Sequence, residues 1–352
     1  MKKSIHLVFI TIFVSTLAIS CEPPGNKQDA SAYANQSLVE IDTTLWLKEA
    51  RGIRDIMEDD QGNLWFSSPD YIALYNGNSM KYFSKDDGLE ITGNIHKDSN
   101  DVIWIENGFQ IFRYTGEYFI EEDINNVKSA KGLWIQRRLD PGDTSSADPG
   151  IYEVSQQTTT FHPLPVEKVG DYKFSYMPSS KAMIGKDGTV WIGTMEKAFG
   201  YNDNAFISIG REEMGRQDDE RHVGIRGMFV DSQGVLWMAD NGAGLFTYDG
   251  EKTTNFTKKH HLDKGEVEGN SLHRTFSINE DSTGTMWFGT VYSGIWSYDP
   301  KTETFKNYTS DDGVKSDNIW MIYKTKSGEL LFAGETPAAV YVFNGKGFER
   351  KF

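Results

Sequence analysis

Short runs of apolar residues alternate with tight polar turns along most of the chain. One stretch shows the pattern clearly, with runs at residues 225–231, 235–239, 245–248 and 254–257. Gly234, Asn241-Gly242 and Asp249-Gly250 separate these runs, and such residues supply the positive φ that tight hairpins need. After the N-terminal segment, helical spacing of apolar residues does not extend beyond two turns. The pattern therefore predicts an all-β chain.

The runs belong to a repeated phrase, which reads acidic-x-x-Gly-x-hydrophobic-Trp and is followed about ten residues later by an aromatic residue and Asp or Asn. Clear copies begin at Asp59, Asp231 and Asp281. Aligned by their Trp residues, the copies are centred on Trp65, Trp104, Trp134, Trp191, Trp237, Trp287 and, in the last copy, Leu331. The mean spacing of about 44 residues is typical of four-stranded propeller blades. We therefore predict a seven-bladed β-propeller of four-stranded antiparallel blades.

Two details of the propeller stay open at the sequence level. The third copy is the weakest, because the polar stretch 137–150 interrupts it, and six blades are the alternative count. Ring closure also has two solutions. Residues 38–46 resemble a strand that precedes the first repeat, whereas residues 348–352 resemble the outer strand of the last blade.

The N-terminus has the features of an export signal. Lys2 and Lys3 precede an apolar stretch that ends in Ser20-Cys21. We expect residues 1–20 to be a signal peptide, 21–37 a polar, flexible tether, and 38–352 the propeller. Cys21 resembles the acylated cysteine of bacterial lipoproteins, which predicts a lipid-anchored protein of the cell envelope. The alternative is an ordinary cleaved signal with an incidental cysteine.

The composition argues against several classes of function. The 352 residues carry a formal net charge of −15, which argues against nucleic-acid binding by bulk electrostatics. The only cysteine, Cys21, has no partner for an intramolecular disulfide. Motifs for zinc, nucleotide phosphate or a serine nucleophile are absent from the sequence. We therefore expect no metal, no cofactor and no assigned catalytic residue.

Two phrases resemble a known repeat family. Trp191-Ile192-Gly193-Thr194 and Trp287-Phe288-Gly289-Thr290, together with the connectors that begin at Asp86 and Asp311, are similar to the two-component regulator propeller repeat. The resemblance covers about residues 50–352. It implies the periplasmic sensor region of bacterial hybrid histidine kinases, although this sequence shows no kinase domain. The repeat is also similar to that of the streptogramin lyase propellers, so the resemblance leaves both binding and catalysis open.

Three arginines lie near the starts of innermost strands. Arg54 and Arg226 both stand eleven residues before the Trp of their blade, and Arg274 matches if a two-residue insertion is allowed. Equivalent positions converge on the channel of a propeller. Clustered guanidinium groups favour an anionic ligand, such as a carboxylated sugar or a peptide terminus. The alternative is internal pairing with Asp55 or Glu335.

The same face of the ring is predicted to carry all the long insertions, at residues 137–150, 162–178, 210–222 and 258–271. Sites develop where loops elaborate one rim of a rigid scaffold. Further candidate ligand-binding residues on this face are His222, His273, Asp240, Tyr292 and Trp320. Trp320 occupies the position of Arg54 in its blade, where an indole would form a platform for sugar rings. Packing is the alternative role for each of these residues.

The sequence leaves three functional hypotheses. The leading hypothesis is an exported, sensory propeller that binds a small anionic ligand or a glycan, with the N-terminal lipid as its only membrane contact. The second is a lyase or hydrolase in which His273 or His222 acts as the base, with Glu266 or Glu268 nearby, and Arg274 stabilises an oxyanion. The third is a scaffold that docks an envelope protein.

Overall fold

The structure is a computed structural model that describes residues 45–89, 92–107, 110–127, 130, 132–137, 148–155, 158–216, 224–263 and 271–352. All of these residues belong to one compact unit. The predicted signal peptide, Cys21 and the tether lie outside the described residues.

Seven antiparallel sheets follow one another along the chain, and each is one blade. The first three blades are β1 (Asp55–Glu58), β2 (Leu64–Ser67), β3 (Ile72–Tyr75) and β4 (Met80–Phe83); β5 (Asn94–Lys97), β6 (Ile103–Glu106), β7 (Ile111–Tyr114) and β8 (Phe119–Glu122); and β9 (Leu133–Arg137), β10 (Gly150–Val154) and β11 (Thr159–Pro163). The fourth and fifth are β12 (Met183–Ile184), β13 (Val190–Gly193), β14 (Ala198–Asn202) and β15 (Ala205–Ile209); and β16 (Ile225–Val230), β17 (Leu236–Asp240), β18 (Gly244–Tyr248) and β19 (Thr253–Asn255). The last two are β20 (Thr275–Glu280), β21 (Met286–Thr290), β22 (Ile295–Asp299) and β23 (Thr304–Tyr308); and β24 (Asn318–Lys324), β25 (Leu330–Glu335), β26 (Ala339–Phe343) and β27 (Phe348–Arg350). The predicted seven-bladed propeller is confirmed.

The repeated phrase is a hydrogen-bonded corner between the first two strands of a blade. In the fifth blade, Asp231 Oδ2 accepts the indole N–H of Trp237 at 2.8 Å, while its Oδ1 accepts the backbone N–H groups of Gln233 and Val235, both at 2.9 Å. Gly234 completes the turn with φ 87°. The same Asp–Trp bond recurs at Trp65, Trp104 and Trp287. One carboxylate thus satisfies the turn and the buried indole together, which explains why the acidic residue and the Trp recur at a fixed spacing.

The core lies between blades rather than within them. Seven apolar clusters among the described residues each combine side chains of two neighbouring blades. Trp65, 1 % exposed, packs edge-on against Tyr114 of the second blade at 5.0 Å. Trp237 similarly packs against Phe288 of the sixth blade at 5.6 Å. The prediction that the repeat Trp residues hold blades together is confirmed.

The third blade is described only in part. Its sheet has three strands among the described residues, in the order β11-β10-β9. Trp134 lies on β9, so β9 corresponds to the second strand of the repeat. The segment where an innermost strand would begin is described only at residues 127, 130 and 132. The interrupting stretch 137–150 falls largely outside the described residues.

The ring closes by packing of the last blade on the first. β27 pairs with β26, so the C-terminal end of the chain supplies the outer strand, as one of the two predicted solutions required. Residues 45 and 46 are not in a strand, and Trp46 instead lies beneath the Arg350 guanidinium, 4.1 Å from its Cζ. Across the seam, the Ile53 N–H donates to the Gly334 carbonyl at 3.1 Å, and Phe66 meets Phe352 at 5.1 Å.

Helices are short and lie in the connections. They are α1 (Tyr172–Ser175), α2 (Phe256–Lys259) and the 3-10 turns Lys85–Asp87, Ile124–Asn126 and Ser310–Asp312. Within the described part of the chain, no helix has the length and apolar character needed to cross a membrane.

Candidate functional site

A β-bulge marks the start of the innermost strand in three blades. The register of β16 on β17 shifts between Ile225 and Gly227, and the corresponding shifts in β20 and β24 leave Phe276 and Trp320 in the bulge. Arg226 occupies the bulge of β16. Arg54 holds the same place in the first blade, where its backbone N–H donates to the Ser67 carbonyl at 2.7 Å. The predicted equivalence of Arg54, Arg226 and Trp320 is confirmed.

The predicted alignment of Arg274 is wrong. Phe276 stands eleven residues before Trp287 and occupies the bulge, so the sixth blade contains no insertion. Arg274 lies two residues earlier, in an isolated bridge with Asn241. The error arose because a two-residue insertion was assumed, whereas the same count of eleven residues leads to Phe276 without one.

A cavity of about 400 Å³ lies on the ring axis, since all seven blades contribute to its wall. Arg54, Arg226, Phe276 and Trp320 all line it, and Arg274 is not among the lining residues. The third blade contributes Gln136 from β9. Equivalent positions of different blades therefore do converge, but with two arginines and two aromatic residues rather than three arginines.

Arg54 is paired within the protein. Its Nη2 donates to Glu335 Oε1 at 2.8 Å, whereas Nη1 is enclosed and makes no hydrogen bond with any described residue. Glu335 Oε2 accepts the indole N–H of Trp320 and the Asn318 amide. Burial lowers the pKa of Arg54 below its ordinary value, and the Glu335 carboxylate counteracts part of that shift. Internal pairing with Glu335, the alternative weighed from the sequence, is what the structure contains.

The indole of Trp320 is enclosed by two neighbours. Arg54 Cζ lies 3.6 Å from the ring centre, and the Phe276 ring stacks at 4.0 Å with an interplanar angle of 26°. Two groups this close to one indole cannot share a face without overlap, so they cover opposite faces. The expected role of Trp320 as a platform for sugar rings therefore has no open face in this structure.

A second ion pair crosses the channel, and the sequence analysis missed it. Lys181 of the fourth blade donates from Nζ to Asp55 Oδ2 of the first blade at 2.7 Å and to the Ile95 carbonyl of the second at 2.6 Å. Asp55 is 2 % exposed and also accepts the Ile95 N–H at 2.8 Å. Lys181 and Asp55 both stand ten residues before their Trp, so the counting that found Arg54 and Arg226 would also have found this pair.

Asp240 has a structural role. Its carboxylate accepts Arg216 Nη1 at 3.0 Å, and neither side chain has any exposed surface. Oδ1 also accepts the Ala243 N–H at 3.1 Å. Burial of a charged pair is tolerated where close hydrogen bonds accompany the ion pair. Asp240 thereby fastens the connection before the fifth blade to the end of β17 and presents no acceptor to solvent.

His273, Arg274 and Tyr292 form a separate group on the rim. Arg274 Nε donates to Asn241 Oδ1 at 2.9 Å, and its Cζ lies 5.8 Å from the centre of the Tyr292 ring. Tyr292 is 56 % exposed and has φ 62°. The His273 carbonyl accepts the Gly242 N–H at 3.2 Å. The predicted site residues that the structure describes therefore fall into three places: the cavity, this rim group and, for Asp240, the buried pair with Arg216.

Several candidates cannot be placed. His222, Glu266 and Glu268 lie outside the described residues, as does Cys21. Among the residues that the structure does describe, no three His, Cys, Asp or Glu side chains gather as metal ligands would.

The sequence matches one family profile over a short segment. Residues 49–70, which span β1 and β2, match the family described as Two component regulator propeller. The predicted resemblance to that repeat is confirmed. No curated protein matches the sequence significantly.

Solved structures share the architecture at low sequence identity. A domain described as the extracellular part of a hybrid two component system, BT3049 of B. thetaiotaomicron, superposes with TM-score 0.60 and 18 % identity over 84 % of this chain, which spans only 39 % of that domain. Virginiamycin B lyase from Staphylococcus aureus gives TM-score 0.56 and 13 % identity, covering 82 % of this chain and 94 % of the lyase. YCF48 bound to D1 peptide gives TM-score 0.57 and 12 % identity, with 85 % and 96 % covered. At such low sequence identities, the similarity shows a shared fold and nothing about function. The chain is a seven-bladed β-propeller in which residues 49–70 match the two component regulator propeller repeat.

Proposed function

We propose that this protein is an exported propeller of the sensor type that binds an anionic small molecule or glycan in its central cavity. One observation carries the proposal. Among the residues that the structure describes, the cavity wall contains three cationic side chains, Arg54, Lys181 and Arg226, and one carboxylate, Asp55. Asp55 pairs with Lys181, and Glu335 pairs with Arg54. The whole chain has a formal net charge of −15, so the cavity is cationic against the average of the protein.

The remaining support is indirect. The repeat is that of two component regulators, and the B. thetaiotaomicron domain with the same fold is described as extracellular. The apolar N-terminal stretch with Lys2 and Lys3 before it favours export independently. Loops of varied length on one face of a rigid ring suit recognition of a ligand.

A binding screen with matched variants tests the proposal. Acidic oligosaccharides and acidic peptides are screened by thermal shift, and ligands that raise the melting temperature are titrated by calorimetry. We expect Arg226→Gln to weaken binding about tenfold or more, because a charge-assisted contact is lost. The double variant R54Q/E335Q removes the second cation without leaving a carboxylate unpaired. Arg274→Gln, on the rim, is the matched control and should bind as the unmodified protein does.

Two results would overturn the proposal. One is a bound anion whose affinity is the same in R226Q, in R54Q/E335Q and in the unmodified protein. The other is turnover of a ligand that depends on His273, which would make the protein an enzyme.

We also propose that Cys21 carries the lipid anchor. Cells grown with labelled palmitate should incorporate label into the unmodified protein and not into Cys21→Ser. The unmodified protein should also stay with the membrane fraction. An unlabelled, soluble protein would instead indicate an ordinary cleaved signal.

A further inference from the structure

The polarity of the channel wall changes along its axis. The innermost strands of the six blades in which the structure describes them run in the same direction, and each residue advances about 3.3 Å. Arg54 and Arg226 mark the level eleven residues before the repeat Trp, at the start of these strands. Two residues further on, about 7 Å deeper, four consecutive blades contribute only apolar residues, namely Ala182, Met228, Ile278 and Ile322. Ala182 and Met228 are partly exposed, whereas Ile278 and Ile322 are 6 % and 2 % exposed because they also belong to the clusters between blades. We call these four residues the apolar collar.

Methionines extend the apolar surface on either side of this level. Met321 lies one residue before the collar position of its blade and Met183 one residue after it, and both line the cavity. Met183, Met228 and Met321 are all partly exposed. Methionine side chains are unbranched and polarisable, so they adapt to apolar groups of varied shape.

The polar groups near the collar are already used by the fold. The Asn279 amide donates to the Ile322 carbonyl at 2.9 Å, and its Oδ1 accepts the Glu280 N–H at 2.9 Å. Lys181 is bound to Asp55 and to the Ile95 carbonyl. Sugar hydroxyls at this depth would lose hydrogen bonds to water and find few partners, which costs affinity.

The aromatic residues of the cavity do not offer a stacking surface. Trp320 is covered by Arg54 and Phe276, and Phe276 is 5 % exposed. A flat sugar face would therefore find neither an open ring nor free polar groups beyond the cationic level. An unbranched apolar chain would meet methionines and the apolar collar.

We infer that the cavity takes an anion carried on an apolar body, of the chemical class of medium-chain carboxylates, with the carboxylate at the level of Arg54 and Arg226 and the chain against the apolar collar. The inference rests on the proposed function, because it names the ligand class of the same cavity. Small-molecule sites commonly combine a few fixed charges with apolar side chains.

A chain-length series on the full chain tests this inference. Hexanoate, octanoate and decanoate are titrated by calorimetry, with 1-octanol as the neutral control and glucuronate as the anion with a polar body. We expect affinity to rise about fourfold for each methylene that the collar covers. Octanol and glucuronate should both bind at least about tenfold more weakly than octanoate.

Variants of the wall locate the binding. Met228→Gln keeps the length of the side chain and places an amide in the apolar collar, so octanoate affinity should fall about tenfold. Met183→Gln provides the same test on another blade, in case M228Q does not fold. Arg226→Gln should weaken all carboxylates alike and keep the chain-length slope, and Arg274→Gln should change nothing.

The outcomes separate the two proposals. If glucuronate binds as tightly as octanoate, or if affinity does not rise with chain length, the inference fails and anion binding in the cavity stands. If no carboxylate binds, or if binding ignores R226Q, both the inference and the proposed function fail.

Discussion

The corner of the blade repeats the same residues around the ring, whereas the residues of the channel wall change from blade to blade. At the corner, Asp231 and Trp237 repeat the same bond that Asp59 makes with Trp65, with N–O distances of 2.8 and 3.0 Å. At the channel, the position eleven residues before that Trp is occupied by Arg54, Gly93, Ser180, Arg226, Phe276 and Trp320 in the six blades that show it. The corner must satisfy the same buried geometry in each blade, whereas the channel wall is the surface on which the blades differ. Repetition therefore marks residues that build the ring, and variation at an equivalent position marks residues that give the cavity its chemistry.

The largest effect is expected from removing a repeat Trp. Trp237→Ala deletes an indole that packs on Phe256 at 4.8 Å and on Phe288, and should lower the free energy of unfolding by about 3–5 kcal/mol. The matched change in the channel, Trp320→Ala, removes a half-buried indole and should cost about 1–2 kcal/mol. Urea denaturation of both variants measures the difference. Equal losses would contradict the division between ring-building and channel residues.

The ion pair across the channel should have an intermediate effect. Asp55→Ala leaves the Lys181 ammonium without its carboxylate and should cost about 2 kcal/mol, less than for a fully buried pair because Lys181 is 31 % exposed. In D55A/K181M no ammonium remains unpaired, so the double variant should recover part of the free energy of unfolding that Asp55→Ala loses. The remainder reflects the Ile95 N–H, which also loses its acceptor. A double-mutant cycle with zero coupling would show that the pair does not act as a unit.

The corner carboxylate should give a smaller effect that depends on pH. Burial raises the pKa of Asp281, but hydrogen bonds from the Trp287 indole and from Thr283 outweigh it, so the pKa lies below its ordinary value. A group depressed in the folded state stabilises the protein above its unfolded pKa, about 3.9, and that contribution disappears as the pH falls through the folded value. Asp281→Asn should therefore cost about 1 kcal/mol at pH 7 and progressively less towards pH 3.

Denaturation midpoints at several pH values measure this change. Glu251→Gln, at an exposed turn, is the control and should show little difference at any pH. A loss in D281N that stays constant from pH 7 to pH 3 would show that the negative charge is not what stabilises the corner.

The smallest effect is expected on the rim. Tyr292 is 56 % exposed and has a positive φ, which Asn adopts more readily than Tyr. Tyr292→Asn should change the free energy of unfolding by less than about 0.5 kcal/mol, as judged by the melting temperature. A loss above about 1 kcal/mol would show that the rim group contributes to the stability of the ring.

Counting along the sequence located three residues of the cavity wall and misplaced a fourth residue. Arg54, Arg226 and Trp320 were found because the distance to the repeat Trp is constant wherever the bulge is regular. Arg274 was misplaced because an insertion was assumed where the strand in fact aligns without one, so Phe276 took the position. Lys181 was overlooked because the count was applied only to the position eleven residues before the Trp, and Lys181 stands ten residues before it. The role of Asp240 was unpredictable, since its partner Arg216 lies in a connection that has no repeat pattern.

The sequence alone determined the repeated blade, its turns and the residues that pack one blade on the next, because these are local patterns copied along the chain. The tertiary structure decided which channel charges are neutralised. Arg54 and Glu335 are 281 residues apart, and Lys181 and Asp55 are 126 apart. Each pair forms only when the ring closes and brings distant blades to one axis. Coulombic attraction and hydrogen bonding depend on distances between atoms in space, and the repeat pattern carries no information about which side chains meet across an opening.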